Sequence, residues 1–127
     1  MLANQKKQTT AEQFIHQSKY EFFLTGSQFF GGVTDQSDYD YFVEYSSDLV
    51  KDLARLGFGD ESSNRDYTDN SLKYLFRKSN VHIQVIYPEW MAAKIKAQNV
   101  LSKYPKYLRC AKEQRKLLWD VALLASK

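Results

Sequence analysis

The stretch Gly26 to Asp40, GSQFFGGVTDQSDYD, constrains this 127-residue chain more than any other. An apolar run, Tyr20 to Leu24, leads into it, and a second, Tyr39 to Tyr45, leads out. The pattern reads as a strand over Tyr20 to Thr25, a glycine-rich turn, and a strand over Tyr39 to Tyr45 that opens on two acids. Residues two apart in a strand point the same way, so Asp38 and Asp40 share a face and stand close enough to hold one divalent cation. Gly26 lets the backbone approach a ligand, and the Ser27 hydroxyl and nearby N–H groups are suited to phosphate oxygens. Gln28-Phe29-Phe30 reads as the start of a short helix whose N-terminus faces bound phosphate. A plain loop of turn residues would not explain why two acids open an otherwise apolar strand.

The remaining chain supplies the scaffold. Residues 1–8 are polar and read as frayed. Thr10-Ala-Glu-Gln13 reads as a capping box for a helix over about Ala11 to Ser18, with Phe14 and Ile15 toward the sheet. Ser46 and Ser47 offer an N-cap, Asp48 suits the helix dipole, and Leu49, Val50, Leu53 and Leu56 form a stripe that ends at Gly57 or Gly59. Gly59 to Asn70 reads as a polar loop carrying Asp60, Glu61, Arg65, Asp66 and Asp69. Leu72 to Lys78 and Val81 to Tyr87 read as a hairpin turning at Ser79-Asn80. Pro88 starts a helix to Lys103, Pro105 breaks it, and a second helix runs from Lys106 to about Ala125. The spacing gives that last helix an apolar face of Leu117, Leu118, Val121, Ala122, Leu124 and Ala125. Trp119 then caps the core, and Lys112, Arg115 and Lys116 point outward. The order predicts an α+β class: one domain over 1–127, its core about 10–87 a small mixed β-sheet flanked by helices, with a C-terminal helix pair over 88–127.

The array Gly26-Ser27, Gly31, Ser37-Asp38-Tyr39-Asp40 resembles the nucleotidyltransferase superfamily, the DNA polymerase beta-like fold. That family's pattern is an apolar strand, Gly-Ser, three residues, Gly, about five residues, then Ser-Asp-x-Asp and another apolar strand. The resemblance covers about residues 20–87 and implies a sheet of the nucleotidyltransferase type. It implies that Asp38 and Asp40 are catalytic and hold Mg²⁺ or Mn²⁺, and that Gly26, Ser27, Gln28 and Ser37 bind a nucleoside triphosphate. The implied activity moves a nucleoside monophosphate to a hydroxyl on a protein, an RNA or a small molecule. In many relatives a basic residue sits among positions 28–30; Gln28 brings no charge.

The second departure is sharper. Catalytically complete relatives take a third carboxylate from the strand that corresponds to Val81–Tyr87. Here Val81, Ile83 and Val85 read as the core face, and His82, Gln84 and Ile86 as the face where the acid belongs. Gln84 offers only a neutral carbonyl oxygen, and the imidazole of His82 is a poor magnesium ligand. Glu44 shares the face of Asp38 and Asp40 but lies roughly 13 Å along the strand from Asp40 at about 3.3 Å per residue. The alternative reading is therefore a catalytically weakened relative that acts as a nucleotide-binding or partner-binding regulator.

Composition bounds the setting. The single Cys110 excludes an internal disulfide and fits a reducing compartment; no apolar run is long enough for a membrane span, and the N-terminus shows no signal-peptide pattern. The expectation is a cytoplasmic protein. The net charge of +3 is unevenly spread: residues 88–127 hold 9 Lys and Arg against 3 Asp and Glu, whereas residues 1–87 hold 9 against 12. Lys94, Lys96, Lys103, Lys106, Arg109, Lys112, Arg115 and Lys116, with Tyr104 and Tyr107 among them, offer a basic and aromatic surface for an RNA or protein acceptor.

Overall fold

A computed structural model describes residues 10–31, 38–64 and 69–127. Five strands form one mixed sheet in the order β1-β2-β5-β4-β3. They are β1 (Phe23–Thr25), β2 (Tyr39–Glu44), β3 (Gly59–Asp60), β4 (Leu72–Lys78) and β5 (Val81–Ile86). Five helices accompany them: α1 (Thr10–Gln17), α2 (Gly26–Phe30), α3 (Ser47–Arg55), α4 (Met91–Ser102) and α5 (Lys112–Ser126). The α+β class with a mixed sheet is as expected. The expected frayed terminus, and Arg65 and Asp66 of the polar loop, lie outside the described residues.

The sheet is buried on both faces, and alternation decides which side chain goes where. Tyr41, Val43, Val81, Ile83 and Val85 pack on one face with Ala11 and Ile15 of α1 and Leu49 and Leu53 of α3. Phe42, Leu72 and Ile86 pack on the other with Met91 of α4. A one-residue slip of β5 would send Val81, Ile83 and Val85 out of the first core. That costs about 1.5–3 kcal/mol for each side chain, so the register is firmly set. The helix starts follow local rules: Ser46 Oγ accepts from the Leu49 N–H at 3.2 Å to cap α3.

Several boundaries differ from expectation. The first strand is three residues rather than six, because Tyr20 and Phe22 turn to pack against Phe14 of α1 instead of continuing the ladder. The polar loop contains β3, which pairs with β4 through Gly59 and Arg77. The helix expected from Pro88 begins as a 3-10 turn, Pro88–Trp90, before α4. The helix expected from Lys106 is a 3-10 turn, Tyr107–Arg109, an extended Cys110, and then α5.

The largest correction concerns α5. Leu117, Val121 and Leu124, expected in its apolar face, are 64%, 58% and 64% exposed. The buried contacts to Ala93 and Ala97 of α4 come from Leu123, which was not expected there, with Trp119 and Ala122, which were. Rolling the helix onto that face turns Arg115 and Lys116, expected outside, partly inward.

One buried ion pair ties the loop before β4 to α4. Lys94 Nζ donates to Asp69 Oδ2 at 3.2 Å, while Asp69 Oδ1 accepts from the Ser71 N–H at 2.9 Å and from Ser71 Oγ at 2.6 Å. Burial pushes the Asp69 carboxyl up, but the Lys94 ammonium and the two Ser71 donors outweigh it and hold it below the ordinary carboxylate range. Because the folded-state value is depressed, this group stabilises the fold above its unfolded value near 3.9. The contribution is lost as pH falls below that value toward the folded one. Asp69→Asn strands a buried ammonium and is expected to cost about 3–5 kcal/mol in urea unfolding at neutral pH. Leu117→Gln, on the exposed side of α5, is expected to stay within about 0.5 kcal/mol.

Candidate functional site

The junction of β1, α2 and β2 builds the site. β1 ends at Thr25, which pairs with Asp40 across the antiparallel ladder, and the chain turns at once into α2. Gly26 makes that turn with φ +65°, and a Cβ there would stand 2.5 Å from Asp40 Oδ2. The position therefore needs glycine twice over, for the left-handed backbone and for the carboxylate beside it. On its other side β2 runs parallel to β5 with Asp40 beside His82 and Phe42 beside Gln84. The expected strand parity holds: His82 and Gln84 lie on the face of Asp40, away from the Val81, Ile83 and Val85 core.

These residues open onto a cavity of about 720 Å³. Gly26, Ser27, Asp40, His82 and Gln84 line it from the sheet side. Phe30, Tyr107 and Trp119 form an aromatic flank, with Phe30 4.6 Å from Tyr107 and 6.0 Å from Trp119 between ring centroids. Burial raises the Tyr107 hydroxyl above its ordinary pKa, against a hydrogen bond with Trp119 that lowers it. Charged side chains of both signs line the rest: Lys94, Lys112, Arg115 and Lys116 with Glu61, Asp69 and Asp120.

The electrostatics centre on Asp40. Burial pushes its carboxyl above the ordinary carboxylate range; His82 opposes that and Asp38 adds to it. Asp38 is less enclosed, its side chain 42% exposed against 22% for His82. His82 Nε2 stands 3.3 Å from Asp38 Oδ2, a distance that suits an ion pair when the imidazole is protonated. It makes no hydrogen bond, and neither does the buried Gln84 Oε1. Two orphaned polar atoms beside a desolvated carboxylate are an unsatisfied arrangement that a ligand can complete.

Among the described residues, no three His, Cys, Asp or Glu side chains gather into a metal cage. Magnesium seldom needs one: it keeps several waters and takes one or two carboxylates plus substrate phosphates. Asp38 and Asp40 fit that demand, with the Gly26-Ser27 turn at hand for the phosphates. Of the expected residues, Asp38 does not line the cavity and meets the site through His82, Gln28 is on α2 and does not line it either, and Ser37 lies outside the described residues. α2 spans only five residues, so its first N–H groups matter more than its dipole.

Several cavity residues were not foreseen. Glu61 and Asp69 come from the segment read as plain polar loop, and Lys94 from a helix lysine read as surface. The flanking Ala93 and Ile95 are the only hint that Lys94 sits on a packed face. The basic residues of 88–127 do not form one surface. Lys94, Lys112, Arg115 and Lys116 line the cavity, while Lys96, Lys103, Lys106 and Arg109 are exposed outside it.

Because the folded-state carboxyl of Asp40 is raised, its contribution to stability is favourable at low pH and is lost as pH rises through that raised value. At neutral pH the buried charge costs stability, so Asp40→Asn is expected to raise the melting temperature. Gly26→Ala is expected to lower stability by about 1–3 kcal/mol, from the left-handed backbone and the displaced carboxylate. Thermal unfolding of both variants at pH 7 measures this.

Comparison with protein-family models, curated proteins and solved structures gives no match to this chain.

Proposed function

We propose that this chain is a metal-dependent nucleotidyltransferase that moves a nucleoside monophosphate from a nucleoside triphosphate to a hydroxyl. The observation that carries the reading is the approach of the Gly26 backbone to the Asp40 carboxylate at the mouth of the cavity. It brings a phosphate-binding turn and a cation-binding acid into contact distance. Asp38 and Asp40 hold Mg²⁺ or Mn²⁺, which supplies charge neutralisation and orientation of the phosphates. Gly26 and Ser27 hold phosphate oxygens through the backbone N–H groups and the hydroxyl. The acceptor oxygen bonds to the α-phosphorus as the bond to the bridging oxygen breaks, and pyrophosphate leaves. His82 Nε2, 3.3 Å from Asp38 Oδ2 and beside Asp40 in the ladder, takes the hydroxyl proton in this reading.

A second reading has one observation in its favour. His82, paired with Asp40 in the parallel ladder, and Gln84 occupy the positions where a complete enzyme of this type would place an acid. A protein that binds nucleotide without transferring it, and acts through a partner, fits that substitution. In either reading the sheet is of the nucleotidyltransferase type and the expected setting is the cytoplasm. Among the described residues, no helix is long and apolar enough to cross a membrane.

Incubation with each labelled nucleoside triphosphate, Mg²⁺ or Mn²⁺, and candidate protein, RNA and small-molecule acceptors separates the two. The transferase reading predicts label transfer that Asp38→Ala and Asp40→Ala each reduce at least about 100-fold, the scale of losing a charge-stabilising group at a reacting centre. His82→Asp is expected to preserve or raise transfer. Metal-dependent nucleotide binding with no transfer, and transfer gained in His82→Asp, would favour the binding protein. No binding of any metal–nucleotide by folded protein sinks both.

A further inference from the structure

The cavity has a charged wall that the transfer chemistry above does not use. Opposite the sheet, Lys112, Arg115 and Lys116 of the first turns of α5 all line the space. Positions 112, 115 and 116 fall at i, i+3 and i+4, so they share one helix face. That face is turned inward by the packing of Trp119, Ala122 and Leu123 on α4, further along α5. The fold thus brings three cations to one side of the cavity, Arg115 and Lys116 half-buried and Lys112 exposed, with the Asp120 carboxylate further along the same helix. Lys94, in the same cavity, has its carboxylate in Asp69. Among the described residues, no carboxylate forms an ion pair with Arg115.

The sheet side of the cavity has the opposite character. Asp40 supplies negative charge there, and the Gly26-Ser27 turn supplies only neutral donors. Gln28, the uncharged residue that follows, does not line the cavity. A triphosphate chain laid from Asp40 into this space would meet no basic side chain from the Gly26-Ser27 turn. The 720 Å³ volume lies within the range that encloses small ligands of nucleotide size.

We propose that Arg115, with Lys112 and Lys116, forms a phosphate clamp for the β- and γ-phosphates of a nucleoside triphosphate bound in this cavity. The proposal rests on the nucleotide reading of the Asp38–Asp40 pair. It assigns α5, outside the Gly-Ser and Asp-x-Asp segment, the charge that the turn lacks. The guanidinium offers paired N–H donors to phosphate oxygens, and the two ammonium groups add charge without fixed geometry. Recognition by the clamp depends on the number of phosphates, so it favours triphosphates over monophosphates.

The test is calorimetric titration with inorganic tripolyphosphate in buffer stripped of divalent metal, with circular dichroism confirming that each variant is folded. The native chain is expected to bind it. Arg115→Gln, which keeps the side-chain stem, is expected to weaken binding about tenfold or more, the scale of a charged hydrogen bond. Arg115→Glu is expected to abolish it. Lys106→Glu makes the same charge change at an exposed site outside the cavity and is expected to leave binding unchanged. A mixture of the four Mg²⁺–nucleoside triphosphates is expected to displace tripolyphosphate, and a short single-stranded RNA is not.

The proposal is overturned if Arg115→Glu binds like the native chain, if Lys106→Glu loses as much, or if RNA displaces the probe and nucleotides do not. The two levels fail separately. Tripolyphosphate binding that needs Arg115, without any Mg²⁺-dependent nucleotide binding that needs Asp40, removes the metal reading and keeps an anion clamp. Nucleotide binding that needs Asp40 but is indifferent to Arg115 keeps the reading and removes the clamp.

Discussion

The parallel pairing of β2 with β5 is the constraint on which the rest of this structure depends. It places Asp40 beside His82 and Phe42 beside Gln84, and among the described residues it is the only parallel contact in an otherwise antiparallel sheet. A parallel pair needs a long crossover, and here α3, β3 and β4 lie between its strands. Both strands are buried on two faces, which is why they carry Phe42 and Ile86 on the side of the acids as well as Tyr41, Val43, Val81, Ile83 and Val85 on the other. The polar residues Asp40, His82 and Gln84 occupy this interior ladder toward its starting end. They stand over a cavity instead of under a helix, and that placement makes the arrangement tolerable.

The face that holds the site is less well satisfied than the opposite one. The α1 and α3 face is closed by aliphatic and aromatic side chains. The α4 face mixes apolar packing with a buried ion pair, a raised carboxyl and orphaned nitrogen and oxygen atoms. Local conflict of this kind concentrates where a protein binds something, because a site must remain incomplete until its ligand arrives. The Asp69–Lys94 pair differs from the Asp38–Asp40 pair in this respect. Its charges are matched and its hydrogen bonds are made, so it holds the loop before β4 against α4, whereas the acid pair has only the His82 imidazole beside it.

Much of this was legible in the sequence, for identifiable reasons. The strict alternation of Val81, Ile83 and Val85 with His82 and Gln84 predicted which face each side chain would take, because period two leaves no choice once one face is apolar. Ser46 announced α3 through its cap, and the glycine at position 26 announced the tight turn into α2. What failed depended on distant partners. β3 is two residues long and exists only through its pairing with β4, which no local pattern carries. Lys94 is buried because Asp69, 25 residues away, meets it. α5 carries apolar residues around much of its circumference, Leu117, Val121 and Leu124 on one side and Trp119 and Leu123 on another, and helical spacing alone cannot choose between them. The small residues of α4, Ala93 and Ala97, settle it by accepting the bulky Trp119 and Leu123. That choice also decides which basic residues face the cavity.

The central claim is that Asp38 and Asp40 hold a divalent cation together with a nucleotide at the Gly26-Ser27 turn. Paramagnetic broadening of backbone amide signals tests it most directly, using Mn²⁺ with a non-hydrolysable nucleoside triphosphate. The account predicts that the signals of Gly26, Ser27, Asp40 and His82 broaden when both are present, that those of α1 do not, and that Asp40→Asn removes the effect. Broadening that spares these four residues, or that persists unchanged in Asp40→Asn, would contradict it.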